Sequence, residues 1–371
     1  MTKLAKIIQA EIRTGGAMSF ERFMELALYQ PGLGYYVGTN GPTRIGRRGD
    51  FYTSVSVGPL FGRLLGRQFF QMWEILGNPD PFWVMEQGAH DGQLARDILE
   101  WAEAEAPGFF EAMHYAVVGG TEFANEAGPN RITWFENLGA LAGKKPVGVV
   151  FSNELVDAFP VRVIVGREGQ WKERRVMIDE NGSFGWTEAK MGEELDEAAT
   201  SLPLPPLEGY VTEINLRARR WMEEVARMMS RGYVVTIDYG FPASVYYAPF
   251  RTAGTLTAYV KHRRVDDVLA EPGEHDLTAH VDFTALARAG EKAGLSTLGF
   301  VDQQRFLMGI AHDELSGAAG PNAGIEKNQA AWNTLTHPEH LGTTFQVLVQ
   351  AKDAPAALDG LRFARPGGLT K

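Results

Sequence analysis

Cysteine is absent from all 371 residues, so disulfides, thiolate nucleophiles and zinc–thiolate centres are excluded together. Positive charge is in short supply: 36 Lys and Arg stand against 46 Asp and Glu, a formal net charge of -10. A non-specific nucleic-acid binder is usually basic, so no nucleic-acid partner is expected. No apolar run approaches the roughly 18 residues a membrane helix needs, and no membrane association is expected. The N-terminus, Met1-Thr2-Lys3-Leu4-Ala5-Lys6-Ile7-Ile8-Gln9-Ala10-Glu11, has no signal-peptide core and carries an acid early, so a cytoplasmic location is expected. No internal repeat or low-complexity block is seen. What remains, 44% hydrophobic and 22% charged residues, is ordinary for a globular chain, and the length suits one large α/β domain with insertions.

The most informative stretch is Phe82-Trp83-Val84-Met85-Glu86-Gln87-Gly88-Ala89-His90-Asp91-Gly92-Gln93-Leu94. A short apolar run ends on an acid, turns through two glycines and opens into an apolar-periodic segment from Leu94 to about Trp101. That is strand, tight turn and helix, the opening of a nucleotide-binding α/β unit, although any βα turn can share the pattern. An acid at the end of the strand suits a hydroxyl or an ammonium better than a phosphate.

Upstream, Leu4–Ile12 reads as a short helix closed by Gly15-Gly16. Ser19 reads as the N-cap of a second helix that reaches about Tyr29 and is stopped by Pro31. Pro31-Gly32-Leu33-Gly34-Tyr35-Tyr36 opens a long loop through Gly38, Gly41, Gly46 and Gly49, whose aromatic residues argue for a ligand-facing role. Val57–Leu76 returns to helical spacing. Downstream, short strands are expected at 114–118, 132–135 and 147–151, the last running into Ser152-Asn153-Glu154-Leu155-Val156-Asp157-Ala158-Phe159-Pro160. Strands and helices alternating at this spacing imply a parallel sheet, with ligands at the carboxyl ends of its strands. Glu86, Glu122 and the Asn153–Asp157 group are therefore expected on one edge.

Residues 161–189 change character. Three short β runs separated by Gly166, Gly169 and Asn181-Gly182 read as an inserted antiparallel meander. Leu202–Pro206 reads as a connector, Asn215–Met229 as a helix and Tyr233–Ile237 as a strand. A further strand is expected at Thr255–Val260, a helix at His280–Ala293 and a last strand at Phe345–Gln350. The tail from Asp353 is expected to be loose. The organisation expected is 1–76, an N-terminal helical and Gly/aromatic loop region; 77–160, the first part of an α/β core; 161–208, the inserted antiparallel β region; 209–352, the second part of the core with a helical insertion on the acceptor side; and 353–371, the tail.

The spacing Glu86-x-Gly88-x-x-x-Gly92 resembles the first motif of class I S-adenosyl-L-methionine methyltransferases, with His90 where a glycine is usual. Five further blocks resemble the MidA-like family of these enzymes, which includes the mitochondrial complex I assembly arginine methyltransferase. They are Pro31–Tyr36, Gly49-Asp50-Phe51-Tyr52-Thr53-Ser54, Ser152–Pro160, Ile237-Asp238-Tyr239-Gly240 and Asp276-Leu277-Thr278-Ala279-His280-Val281-Asp282-Phe283. The resemblance implies an α/β, Rossmann-like class I methyltransferase core with an N-terminal helical region and an inserted antiparallel β region. It also implies S-adenosyl-L-methionine as cofactor, S-adenosylhomocysteine as product, and an arginine of a partner protein as acceptor.

On this reading the cofactor is held by Thr53, Glu86, Gly88, Ala89, Gly92, Leu94, Ser152 and Asn153. The family's ribose-binding acid is replaced by Gly119, with Glu122 three residues on as its substitute. A guanidinium is always protonated, so carboxylates must pin it and localise a lone pair; Glu154 and Asp157, with Asn153 beside them, are placed for that. A helix after the strand would instead put Glu154 in its first turn, where an acid suits the dipole. His280 and Asp282 are read as capping and orienting the helix from His280 and lining the acceptor cleft. His275 and His280 have no third partner at ligand spacing, so no metal is expected. A small-molecule O- or N-methyltransferase and a non-catalytic assembly or binding protein with the same fold stay open. The oligomeric state is not legible.

Overall fold

Short apolar runs become strands at Phe82–Gln87 (β1), Met113–Val118 (β2), Ile132–Phe135 (β3), Val147–Asn153 (β4), Arg231–Phe241 (β5), Ser296–Asp302 (β6) and Phe345–Lys352 (β7). They lie in one sheet of the computed structural model, which describes residues 2–38, 53–119, 131–260, 263–318, 320–365 and 367–369. In β4 every residue from Gly148 to Ser152 is buried, as a strand covered on both faces must be. The order is β3-β2-β1-β4-β5-β7-β6. Neighbouring strands from β3 to β5 run parallel. β7 runs antiparallel to β5 and to β6. The fold is thus Rossmann-like α/β, and the wholly parallel sheet expected from sequence is corrected by β7. The last strand, expected at Phe345–Gln350, is β7; its partner β6 is not expected from sequence, because it is only half-buried over most of its length and shifts register between Thr297 and Gly299, which erases its period-2 signal.

The strand order reverses at β1, with β2 on one side and β4 on the other. That is the topological switch point, and the crevice outside the carboxyl ends of its strands is where doubly wound sheets bind ligands.

The chain forms two units, each taken here over its described residues. The larger comprises Tyr52–Leu155, Arg220–Gly240 and Phe283–Lys371. One face of its sheet, carrying Phe82, Val84, Tyr115, Val149, Phe151 and Val235, shares a core with helix α1 (Leu60–Ile75) and helix α2 (Gln93–Glu105). The helices contribute Phe61, Leu64, Leu65 and Phe69, and Leu94, Ile98 and Trp101, at the three- and four-residue spacing that makes one apolar stripe. Each such side chain contributes about 1.5–3 kcal/mol on burial.

The smaller unit comprises Met1–Phe51, Val156–Arg219 and Phe241–Asp282. Its helix Phe20–Tyr29 is capped as expected: Ser19 Oγ accepts the Arg22 N–H at 3.2 Å. The expected meander is formed by Arg162–Arg167, Gln170–Ile178 and Phe184–Ala189, paired antiparallel. Val211–Ile214 adds a strand that sequence reading missed. A small second sheet sets Thr257–Val260 between Arg263–Val265 and Asp276–Thr278. The strand expected from Thr255 therefore starts at Thr257, because the Thr255 N–H and hydroxyl are spent on a buried carboxylate.

Two further expectations are corrected. The helix expected from His280 begins at Phe283, so His280 and Asp282 lie outside it; Val281–Asp282 is extended. No helix follows β4 directly, and Glu154 has left-handed backbone with φ 55°.

Candidate active site

Glu86 stands near the end of β1 and is 5% exposed. The register opposes it to Val117 of β2, which brings Tyr115, two residues back, to the same face. The Tyr115 hydroxyl donates to Glu86 Oε2 at 2.5 Å. Burial pushes the Glu86 carboxyl up to about 7; the Tyr115 hydrogen bond holds it back, and the charges of Asp91 and Arg96 act in opposite directions. Gln87 turns to the other face, where its Oε1 accepts the Trp221 indole N–H at 2.7 Å.

Gly88 follows with φ 87°, a conformation that strains any residue with a Cβ. A Cβ here would also lie 3.1 Å from the Leu155 side chain. Ala89 and Leu94 are buried in the apolar core, and Gly92 leads into α2. Asp91 Oδ1 accepts the Gln93 N–H at 2.9 Å, which closes the turn. His90 Nε2 is buried with no partner among the described residues. Gly119, where the resemblance puts an acid, has φ 76° and accepts the Trp134 indole N–H on its carbonyl. The left-handed backbone accounts for glycine there. Glu122 and the Gly49–Tyr52 part of the aromatic loop lie outside the described residues.

The neighbouring strand β4 ends in Ser152, Asn153 and then Glu154. Ser152 Oγ and Asn153 Oδ1 are buried and have no hydrogen-bond partner among the described residues. Glu154 is held from several sides. Asn153 Nδ2 donates to Oε1 at 3.0 Å and the Tyr239 hydroxyl to Oε2 at 2.7 Å, while the Glu154 N–H donates to the Ile237 carbonyl at 3.0 Å. Burial pushes its carboxyl up to about 7, with the Asp238 charge adding to it; hydrogen bonds from Tyr239, Asn153 and the Ser54 backbone oppose the rise. Ser54 is itself fixed by its hydroxyl, which donates to Gln303 Oε1 at 3.0 Å. Thr53 spends its hydroxyl on Ser56, 2.9 Å away.

Glu86, Gly88, Ala89, Gly92, Leu94, Ser152, Asn153, Glu154 and Thr53 thus belong to the larger unit, most of them at the carboxyl ends of adjacent β1 and β4. Asp157 and His280 belong to the smaller one. There Asp157 is buried and its carbonyl accepts the Ala279 N–H at 3.0 Å. Sequence reading missed Tyr115, Tyr239 and Ser54, which set the state of the two acids. Tyr239 and Ser54 fall inside the family-like blocks; Tyr115 needed the β1–β2 register to be found. Among the described residues no group of three or more His, Asp or Glu is placed to hold a metal, and no helix is long and apolar enough to cross a membrane.

A family model for S-adenosyl-L-methionine-dependent methyltransferases matches residues 64–301. A crystal structure of a Burkholderia thailandensis protein bound to S-adenosyl-homocysteine is similar over 98% of this chain and 95% of that one, at 32% identity and a TM-score of 0.84. Among curated proteins, the mitochondrial protein arginine methyltransferase NDUFAF7 homolog of Drosophila melanogaster is 29% identical, covering 95% of this chain and 86% of its own length. The mitochondrial protein arginine methyltransferase NDUFAF7 of Mus musculus is 24% identical, covering 93% and 83%. The cytoplasmic location expected from the N-terminus does not stand against these relatives, which are named mitochondrial.

Proposed function

The chain belongs to the S-adenosyl-L-methionine-dependent methyltransferase family, and from that premise we propose that it methylates an arginine side chain of a partner protein. The names of the fruit-fly and mouse relatives support arginine as the acceptor.

S-adenosyl-L-methionine is the cofactor, and the switch-point residues suit it. Two buried polar atoms there, Ser152 Oγ and Asn153 Oδ1, have no partner among the described residues, and a buried group without one costs about 1–3 kcal/mol. When bound, the cofactor supplies a methyl group on a sulfonium sulfur, an electrophile that needs no further activation. Glu86 holds the ammonium of the methionine end. Gly88, Ala89 and Gly92 provide the turn beneath it and Leu94 the apolar backing. Ser152 and Asn153 bond polar groups of the cofactor, Thr53 adds the one hydroxyl position left beside its two bonds to Ser56, and Glu122 takes the ribose hydroxyls.

The observation that carries the proposal is Glu154. A carboxylate has about four acceptor positions, and the two oxygens of Glu154 spend three of them, on Asn153, Tyr239 and the Ser54 backbone N–H. The remainder can pin a guanidinium. Methylation of a guanidinium nitrogen releases one proton, and a carboxyl poised near 7 can take that proton and return it to water at neutral pH.

The test is incubation of the full chain with isotopically labelled S-adenosyl-L-methionine and arginine peptides, read by fragmentation mass spectrometry. Label on arginine, reduced roughly 100-fold or more in kcat by Glu154→Gln, is the expected result. Label only on small molecules would move the acceptor class, and no transfer to any acceptor would leave a binding protein on this fold.

A further inference from the structure

In the smaller unit, Arg251 has no counter-ion among the described residues. Its Nε is buried and has no partner among them, and its guanidinium carbon sits over the Phe241 ring, 4.6 Å from the centroid. A guanidinium carries five donors and stays charged at every working pH. One that is half-buried with no acceptor is a site waiting for an anion, since desolvation has been incurred without a compensating bond.

The same Phe241 ring is met edge-on by His280, at 5.0 Å between centroids and 75° between planes. His280 Nδ1 is likewise buried without a partner among the described residues. Burial, and the positive charge of Arg251, hold the imidazole down at about 4, so it is neutral and carries one N–H donor. One cation and one neutral donor therefore flank a single aromatic ring.

Both are anchored rather than loose. Buried Glu213 accepts the Thr255 N–H at 3.0 Å, the Thr255 hydroxyl at 3.0 Å, the Leu256 N–H at 3.2 Å and the Tyr246 hydroxyl at 3.0 Å. Thr255 Oγ1 in turn accepts the His280 backbone N–H at 3.1 Å. The Thr252 carbonyl, next to Arg251, accepts the Val211 N–H at 2.9 Å. The hub fixes the backbone on both sides of the pair, as preorganised recognition requires.

The ligand class follows from what borders Arg251. Phe250 is 80% exposed and Val245 40% exposed on the same segment. A free inorganic anion would have no use for them, whereas a polypeptide offers an acid and apolar side chains together. The overall charge of -10 repels an acidic partner at long range, but screening over about 8 Å at physiological salt leaves the short-range pair to decide.

We infer that Arg251, Phe241 and His280 form a carboxylate-recognising subsite that reads an Asp or Glu side chain of the protein acceptor. This rests on the reading that the acceptor is a protein.

The test titrates the full chain with fluorescently labelled peptides that hold a central arginine and carry either Glu or Gln at each flanking position in turn. Wild type is expected to bind the Glu form at one or two positions about tenfold more tightly. Arg251→Met removes that preference, and Arg251→Lys, which keeps the charge but loses the planar fork, retains part of it. Equal binding of Glu and Gln forms at every position, absent binding included, overturns the inference. So does a preference that survives Arg251→Met. Loss of S-adenosylhomocysteine affinity in Arg251→Met with the peptide preference unchanged assigns the cation to the cofactor instead. Methylation of the same peptides is read separately. A Glu preference without arginine methylation sinks the proposed reaction and leaves the subsite standing, whereas methylation without a preference does the reverse.

Discussion

Glu86 in the larger unit and Glu213 in the smaller one are nearly equally hidden, at 5% and 2% exposure, yet their surroundings differ. Glu213 collects donors from Thr255, Leu256 and Tyr246, which oppose the upward push of burial, although burial still leaves the carboxyl raised. Among the described residues Glu86 has the Tyr115 hydroxyl alone. A carboxylate satisfied within its own unit is scaffold. One left short of partners at a strand end, with Ser152 and Asn153 atoms on the next strand unpartnered among the described residues, is waiting for a ligand.

The sharpest way to break this contrast is to truncate each acid. Glu213→Ala strands buried donors and is expected to lower unfolding free energy by roughly 3–5 kcal/mol in urea titrations. If it costs less than about 1 kcal/mol, the scaffold reading is wrong. Glu86→Ala is expected to weaken S-adenosylhomocysteine binding roughly 10–100-fold by calorimetry, the value of a charged hydrogen bond; unchanged affinity would remove Glu86 from the cofactor site.

The pH dependence separates the two units further. With its pKa raised from 4.5 to about 7 in the fold, Glu86 contributes stability that is complete below 4.5 and lost as pH rises through 7. Glu86→Gln, which never ionises, should therefore nearly match wild type near pH 4.5 and exceed it by roughly 3 kcal/mol at pH 8. A constant difference across that range would contradict the assignment. The smallest effect is expected at Tyr239. Tyr239→Phe removes a hydrogen bond that stabilises ionised Glu154, so the acid limb of the kcat profile should move upward by about one pH unit or less. Tyr246→Phe, at the Glu213 hub, should leave that limb in place.

How far the site could be read from sequence follows the same divide. The larger unit repeats strand–turn–helix with local signals: the Glu86–Gly92 turn and the apolar run into Ser152-Asn153-Glu154 gave away two strand ends that the fold brings side by side. Position alone did not reveal the state of those acids, because Tyr115 reaches Glu86 only through interstrand register. Glu154 was open to a helical reading because a strand followed by Asn-Glu commonly starts a helix; its φ of 55° and its bond to Tyr239 come from contacts 85 residues apart. In the smaller unit, Glu213 and Thr255 are separated by 42 residues and carry no mutual signal. The helical periodicity that follows His280 predicts a helix from that residue; Thr255 and the extended Val281–Asp282 decide otherwise.

What the chain alone determined is whatever depends on neighbours within a few residues: the exclusion of thiol chemistry, the apolar periods of α1 and α2, the Ser19 cap, the glycine turn after β1, and the ordered blocks that mark the family. What only the tertiary structure decided is which strand lies beside which, and hence which acids are left short of partners. Hydrophobic periodicity is local and degenerate, so it specifies elements. Hydrogen-bond satisfaction and charge state depend on groups brought together from distant segments, and those are settled only when the backbone closes.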